Sequence, residues 1–215
     1  MTVDSILFDL DGTLWDSTEG VCESWNRVFA QRGISLNASR RLLASFFGKP
    51  MTAIFDELFP LLSADERDAL RKECCAEENR LLADKGGTLY AGVPETLERL
   101  SKSYRLFIVS NCQDGYIQTF LNVHGLGGLF EGFESWGRTG LSKGENNLLV
   151  IKRFGLKRPV YVGDAAVDEQ SAAAAGIPFV YAAYGFGTVG SFNASISSFP
   201  EIERTLQRLN GHCND

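Results

Sequence analysis

The stretch that decides the fold is Ile6-Leu7-Phe8-Asp9-Leu10-Asp11-Gly12-Thr13. Three consecutive apolar residues, bounded by turn-formers and interrupted by no polar position, have the pattern of a short strand buried on both faces. Asp9 and Asp11 follow at the strand exit, two residues apart, and side chains at that spacing point to the same side. Two carboxylates so close repel unless a cation or a proton offsets them. An aspartate turn that merely ends a strand is the ordinary alternative. A calcium loop counted from Asp9 is excluded, because Leu14 stands where such a loop needs Gly and Gly20 where it needs a bidentate Glu.

Three further apolar runs share this character, at residues 106–109, 160–162 and 179–181, and they end at Ser110-Asn111, at Gly163-Asp164 and near Gly185. Helical patterns lie between them at 95–100, 116–123, 145–154 and 170–175, the last closed by Gly176. Strand and helix alternate, which predicts an α/β fold: a doubly wound, Rossmann-like parallel sheet covered on both faces. In such sheets ligands bind beyond the carboxyl ends of the strands, where all of these polar residues fall. Residues 16–85 interrupt the alternation and read as helices at 19–31, 38–44, 52–58 and 64–82, with Gly48-Lys49-Pro50 as a break and Gly86-Gly87 as a return. The division expected is a core of 1–15 and 86–215 with a helical cap, 16–85, over the strand ends. The tail after Phe199 reads as one more amphipathic helix.

Composition narrows the function. The chain has 215 residues, 44% of them apolar and including 15 Phe, enough to close a real core. Lys and Arg number 21 against 27 Asp and Glu, so a surface built to grip nucleic acid or anionic lipid is not expected, and an anionic ligand must be met by a local site. The five cysteines, Cys22, Cys74, Cys75, Cys112 and Cys213, form no C-x-x-C and no even framework. They read as reduced thiols of a cytoplasmic protein. No basic leader and no apolar run long enough for a bilayer is visible, so neither secretion nor membrane insertion is expected.

Asp164 and Asp168 add a second carboxylate pair, at the end of another predicted strand. Several acidic groups converging on one place form an all-oxygen cluster suited to a hard divalent cation, with magnesium (Mg2+) the default because it recruits phosphate oxygens. Asp168 alone also fits a helix-start carboxylate. Ser110-Asn111 offers a hydroxyl and amide donors for phosphate, or an ordinary helix cap. Lys143, opening the 145–154 helix, fits a solvated lysine equally well when taken alone.

Together, Asp9-Leu10-Asp11-Gly12-Thr13, Ser110, Lys143 and Gly163-Asp164 with Asp168 resemble, in order and context, the four motifs of the haloacid dehalogenase superfamily. The match runs over nearly the whole chain, and the helical insert directly after the first motif resembles the phosphoglycolate phosphatase-like branch. The resemblance implies a Mg2+-dependent phosphatase. Asp9 is then the nucleophile that forms an aspartyl-phosphate, Asp11 the acid and base, and Lys143 a catalytic cation. Ser110, Asn111, Gly12 and Thr13 bind phosphate. The metal is held by Asp9, the Asp11 backbone carbonyl, Asp164, and Asp168 directly or through water. Two departures stand out: Gly144 follows Lys143 where many relatives have Pro, and the second motif begins with Ser rather than Thr. Asp11 argues against carbon–halogen cleavage, since the dehalogenases lack it.

Substrate choice in this branch resides largely in the cap, which makes Phe47 and Lys49 the candidates here, although a solvated loop lysine is the ordinary reading of the latter. Trp15 and Trp136 read as buried aromatics or as stacking groups, and His124 and His212 as surface residues. The expected substrate is a small phosphorylated metabolite resembling phosphoglycolate. A sugar-phosphate mutase is the rival enzyme, disfavoured by a cap without His, and a non-catalytic phosphate-binding regulatory module is the rival from another class. Nothing in the sequence chooses between monomer and dimer.

Overall fold

A computed structural model of the chain describes residues 2–46 and 48–211. Its strands are β1 (Ser5–Phe8), β2 (Trp15–Asp16), β3 (Thr88–Leu89), β4 (Arg105–Ser110), β5 (Gly132–Ser135), β6 (Pro159–Gly163), β7 (Phe179–Ala182) and β8 (Ala194–Ile196). Its α-helices are α1 (Thr18–Gln31), α2 (Arg40–Ala44), α3 (Met51–Leu58), α4 (Ala64–Lys85), α5 (Val93–Leu100), α6 (Tyr116–Val123), α7 (Trp136–Thr139), α8 (Lys143–Phe154), α9 (Ala166–Ala175) and α10 (Ile202–Gly211).

Six strands form one sheet in the order β5-β4-β1-β6-β7-β8, and every neighbouring pair is parallel. Alternation along the inner strands sends side chains to two faces. Ile6, Phe8, Leu106, Ile108, Val160 and Val162 pack into one apolar cluster; Leu7, Phe107, Val109 and Tyr161 pack into the other. The chain leaves β1 and later returns on both sides of it, to β4 on one flank and to β6 on the other. The carboxyl end of β1 is therefore the crevice in which an open α/β sheet takes its ligand.

The inner strands are those the apolar runs predict. The structure adds β5 and β8, which the sequence pattern does not reveal. Both lie at sheet edges and pair on one side only, so Gly-Phe-Glu-Ser and Ala-Ser-Ile need no continuous apolar run.

Helices α1 to α4 lie between β2 and β3, and these two short strands pair antiparallel where the insert leaves and rejoins the sheet. Asp16, at the expected start of a purely helical stretch, is thus half of a strand pair. Helix α4 begins with a capping box in which Ser63 and Glu66 satisfy each other's backbone donors, consistent with the Ser-x-x-Glu spelling. The apolar cluster on one sheet face continues through Leu14, Trp15, Tyr116 and Phe120 into Trp25, Phe55 and Leu82 of the insert. Trp15 is fully buried and edge-on to Tyr116 and Phe120, which assigns it to this seam rather than to a ligand. His124, expected at the surface, is instead half-buried edge-on to Trp15, and burial lowers its pKa. His212 and Cys213 lie outside the described residues.

Candidate active site

Each strand end contributes one group. Asp9 follows β1, whose register is carried onward by the Asp9 amide donating to the Val162 carbonyl at 2.8 Å. Ser110 ends β4, Asp164 follows β6, and Lys143 opens α8. Asp9, Asp11, Ser110, Lys143, Asp164 and Asp168 are all buried, and the ligating oxygens of Asp9, Asp164 and Asp168 lie within 4.8 Å of one another.

Lys143 Nζ donates to Asp9 Oδ1 and to Asp168 Oδ1, each at 2.6 Å. Its position follows from the local sequence. Ser142 and Glu145 form a capping box that starts α8 at Lys143, so the ammonium leaves the first helical residue toward the sheet. Gly144, the departure noted above, lies where an added Cβ would come within 3.0 Å of the Ala174 methyl. Its smallness lets α8 approach α9 and keeps Lys143 in reach. Burial pulls the Lys143 pKa down, but Asp168 and Asp9 outweigh it, and the ammonium is held charged.

Asp168 uses both oxygens. Oδ2 accepts the backbone N–H groups of Asp164 at 3.0 Å and Ala165 at 2.9 Å, while Oδ1 accepts Lys143. The helix-start role weighed for Asp168 is therefore present, and it fixes Lys143 as well. Asp164 Oδ2 accepts from the Phe186 and Gly187 amides at 2.7 and 3.2 Å, just beyond the Gly185 that marks the end of the fourth apolar run. Gly12 has φ +85°, and a Cβ there would clash with the Asp164 carboxylate, so both backbone and packing demand glycine. Burial raises the pKa of Asp9 and of Asp164, and neighbouring carboxylates add to it. Three buried carboxylates against one ammonium is a donor set that fits a hard divalent cation.

Asp11 stands apart from that cluster. Its Oδ1 accepts from Ser17 Oγ at 2.6 Å and from Tyr116 OH at 2.8 Å. Burial raises its pKa to about 7, against the lowering effect of those two hydrogen bonds. Neither partner was legible as a site residue, because a serine before a helix and a tyrosine at a helix start are ordinary.

Among the phosphate candidates, Ser110 and Thr13 are buried, and Thr13 Oγ1 has no protein partner. The Asn111 side chain is used differently from the expectation. Its Nδ2 donates to the Gly48 carbonyl at 2.7 Å, tying the sheet end to the insert, while the buried Oδ1 has no partner. Lys49 lines the pocket above Asp9 and Asp11, but Glu57 holds its Nζ at 2.8 Å. Phe47 lies outside the described residues. Trp136 is only partly buried, in α7.

The same pocket contains a residue the sequence reading missed. Glu78 of α4 is 3% exposed and accepts from Trp25 Nε1 at 2.8 Å and Gln113 Nε2 at 2.7 Å. A signal existed. Leu70, Cys74, Cys75, Leu81 and Leu82 are the buried stripe of α4, and Glu78 occupies a position of that stripe at i+4 from Cys74.

A parallel sheet with an acidic cluster and a lysine at the end of its first strand defines a class, and comparison with known proteins agrees with it. The chain belongs to the haloacid dehalogenase-like hydrolase family, whose sequence model matches residues 6–182. Within that family it is a phosphoric monoester hydrolase of the phosphoglycolate phosphatase-like kind. It is 31% identical over 191 residues to a phosphoglycolate phosphatase from Xanthomonas campestris pv. campestris, covering 85% of this chain and 84% of the relative. It is 26% identical over 195 residues to a 5'-nucleotidase from Pseudomonas aeruginosa, covering 88% and 87%. A haloacid dehalogenase-like family hydrolase from Streptococcus pneumoniae shares the fold, with a TM-score of 0.83 at 21% identity over 95% of this chain and 99% of that one.

Proposed function

We propose that the chain is a magnesium-dependent phosphomonoesterase that releases phosphate from a small phosphorylated metabolite through an aspartyl-phosphate at Asp9. The observation that carries this reading is the buried cluster of Asp9, Asp164 and Asp168, with Lys143 bonded to two of its members and Asp11 sharing a pocket with Asp9.

An Asp9 carboxylate oxygen attacks phosphorus in line, the new O–P bond forms, and the bond to the leaving oxygen breaks. Asp11 delivers its proton to that leaving oxygen, a task for which a pKa of about 7 is suited. Asp11 then takes a proton from the water that attacks phosphorus and frees Asp9. Ser17 and Tyr116 fix the orientation of Asp11 in both steps. Lys143 offsets the charge of Asp9 and is held by Asp168. Ser110, Gly12 and Thr13 supply donors around the phosphoryl oxygens. Asp9, Asp164 and the Asp11 carbonyl would hold magnesium, with Asp168 behind them, and the ion when bound offsets charge between carboxylate and phosphate. Residues 16–85 act as the cap that shuts water out of the pocket.

A cytoplasmic setting suits the free thiols of Cys22, Cys74, Cys75 and Cys112. No helix of the described residues is long and apolar enough to cross a membrane. The test is phosphate release from an aryl phosphate with and without magnesium, by the wild type and by Asp9→Asn. Turnover is expected only from the wild type with magnesium. Equal turnover by both proteins sinks the reading.

A further inference from the structure

On the insert side, the pocket over Asp9 and Asp11 is walled by Val21, Trp25, Leu43, Phe46, Met51 and Ile54, and it encloses a cavity of about 50 Å³. That is room for a short chain of a few heavy atoms, given that one water needs about 10–15 Å³. Glu78 stands within this apolar wall and makes no ion pair among the described residues. Burial raises its pKa to about 7, which is the cost of a charge without a cationic partner.

Several donors lining this pocket already have an acceptor. Trp25 Nε1 and Gln113 Nε2 each donate to a Glu78 oxygen, and Asn111 Nδ2 donates to the Gly48 carbonyl. Tyr116 OH lies on Asp11 and Lys49 Nζ on Glu57. Buried acceptors stay open as well. Asn111 lines the pocket and is 5% exposed, and its buried Oδ1 has no partner. Each Glu78 oxygen accepts one of the two hydrogen bonds for which it has lone pairs. Once Glu78 is ionised, above its pKa of about 7, a leaving group ending in a carboxylate meets a carboxylate here, while Lys49 at the same pocket is already paired with Glu57, and like-charge juxtaposition is strongly unfavourable. A hydroxyl or ammonium on the same short chain offers Glu78 a further hydrogen bond.

We infer that Glu78 makes this site select phosphate esters whose leaving group carries a hydrogen-bond donor, a hydroxyl or an ammonium, on a short apolar chain, and reject those ending in carboxylate. The inference rests on the phosphatase reading above and departs from the substrate that names several relatives.

The test compares kcat/KM for hydroxyethyl phosphate, aminoethyl phosphate and phosphoglycolate, which are of matched length, with an aryl phosphate reporting that the chemistry runs. The wild type is expected to prefer at least one donor-bearing ester over phosphoglycolate by about tenfold or more. Glu78→Gln removes the charge and keeps the shape, and it should shrink that ratio by about tenfold. A fall confined to aminoethyl phosphate identifies the donor as an ammonium; equal falls on both identify a hydroxyl. Phosphoglycolate turned over by the wild type as well as both donor-bearing esters, or better, overturns the inference, as does a ratio that Glu78→Gln leaves unmoved. The wild-type ranking decides the matter even if the variant does not fold. Failure on every ester, the aryl phosphate included, overturns the phosphatase reading and this inference with it.

Discussion

Asp11 and Glu78 are both buried carboxyls raised to about 7, with burial the first cause in each. They differ in their company. Asp11 is held by two hydroxyls beside the reacting centre, whereas Glu78 is held by an indole and an amide against apolar side chains. The raised pKa of Glu78 has a consequence for stability. Between its ordinary value of 4.5 and about 7, the folded chain keeps a proton that the unfolded chain has released, so raising pH through that window removes stability. Glu78→Gln has no such proton to lose. Urea unfolding of both proteins from pH 5 to pH 8 should show the difference moving in favour of the variant by up to about 3 kcal/mol, because each pH step of one across that window is worth about 1.4 kcal/mol. A difference that is flat with pH would show that Glu78 is not desolvated.

At the scale of elements, the start of α8 determines where Lys143 points. Ser142 caps the helix by accepting from the Glu145 amide at 3.3 Å, and the Glu145 carboxylate returns to the Ser142 amide at 2.8 Å. Ser142→Ala should cost about 1 kcal/mol of stability in urea unfolding. Because Lys143 is the first helical residue, the same change should lower kcat on the aryl phosphate more than it raises KM. A loss of stability with kcat intact would show that Asp9 and Asp168 hold the ammonium without help from the helix. Lys143→Ala is the harsher change, since it leaves Asp9 and Asp168 buried without their cation; removing one partner of a buried pair costs about 3–5 kcal/mol. That loss is read in the same unfolding experiment, and a loss below about 1 kcal/mol would mean that the carboxylates are relieved by protonation instead.

For the whole molecule, the excess of buried negative charge at the sheet end opposes folding, and a bound cation relieves it. Magnesium should therefore raise the midpoint of thermal unfolding, by mass action worth about 2.7 kcal/mol at a hundredfold excess over Kd. A chelator should reverse the gain, and Asp164→Asn should abolish it while leaving the metal-free protein at least as stable as the wild type. A wild-type midpoint indifferent to magnesium would remove the ion from the site.

The sequence by itself determined the sheet, its parallel sense, the helical insert and the placing of Asp9, Asp11, Ser110, Lys143, Asp164 and Asp168 at strand or helix ends. These are local signals: apolar runs buried on both faces, turn residues at fixed offsets, and caps spelled within four residues. The edge strands β5 and β8 escaped because a one-sided pairing imposes no continuous apolar pattern. Only the tertiary structure decided which donors are spent and which acceptors stay open. Asn111 turns toward Gly48, 63 positions away, and Glu78 meets Gln113, 35 positions away. No period of 2 or 3.6 residues records such a meeting. Hydrogen-bond satisfaction is settled among groups that only the packed chain brings together.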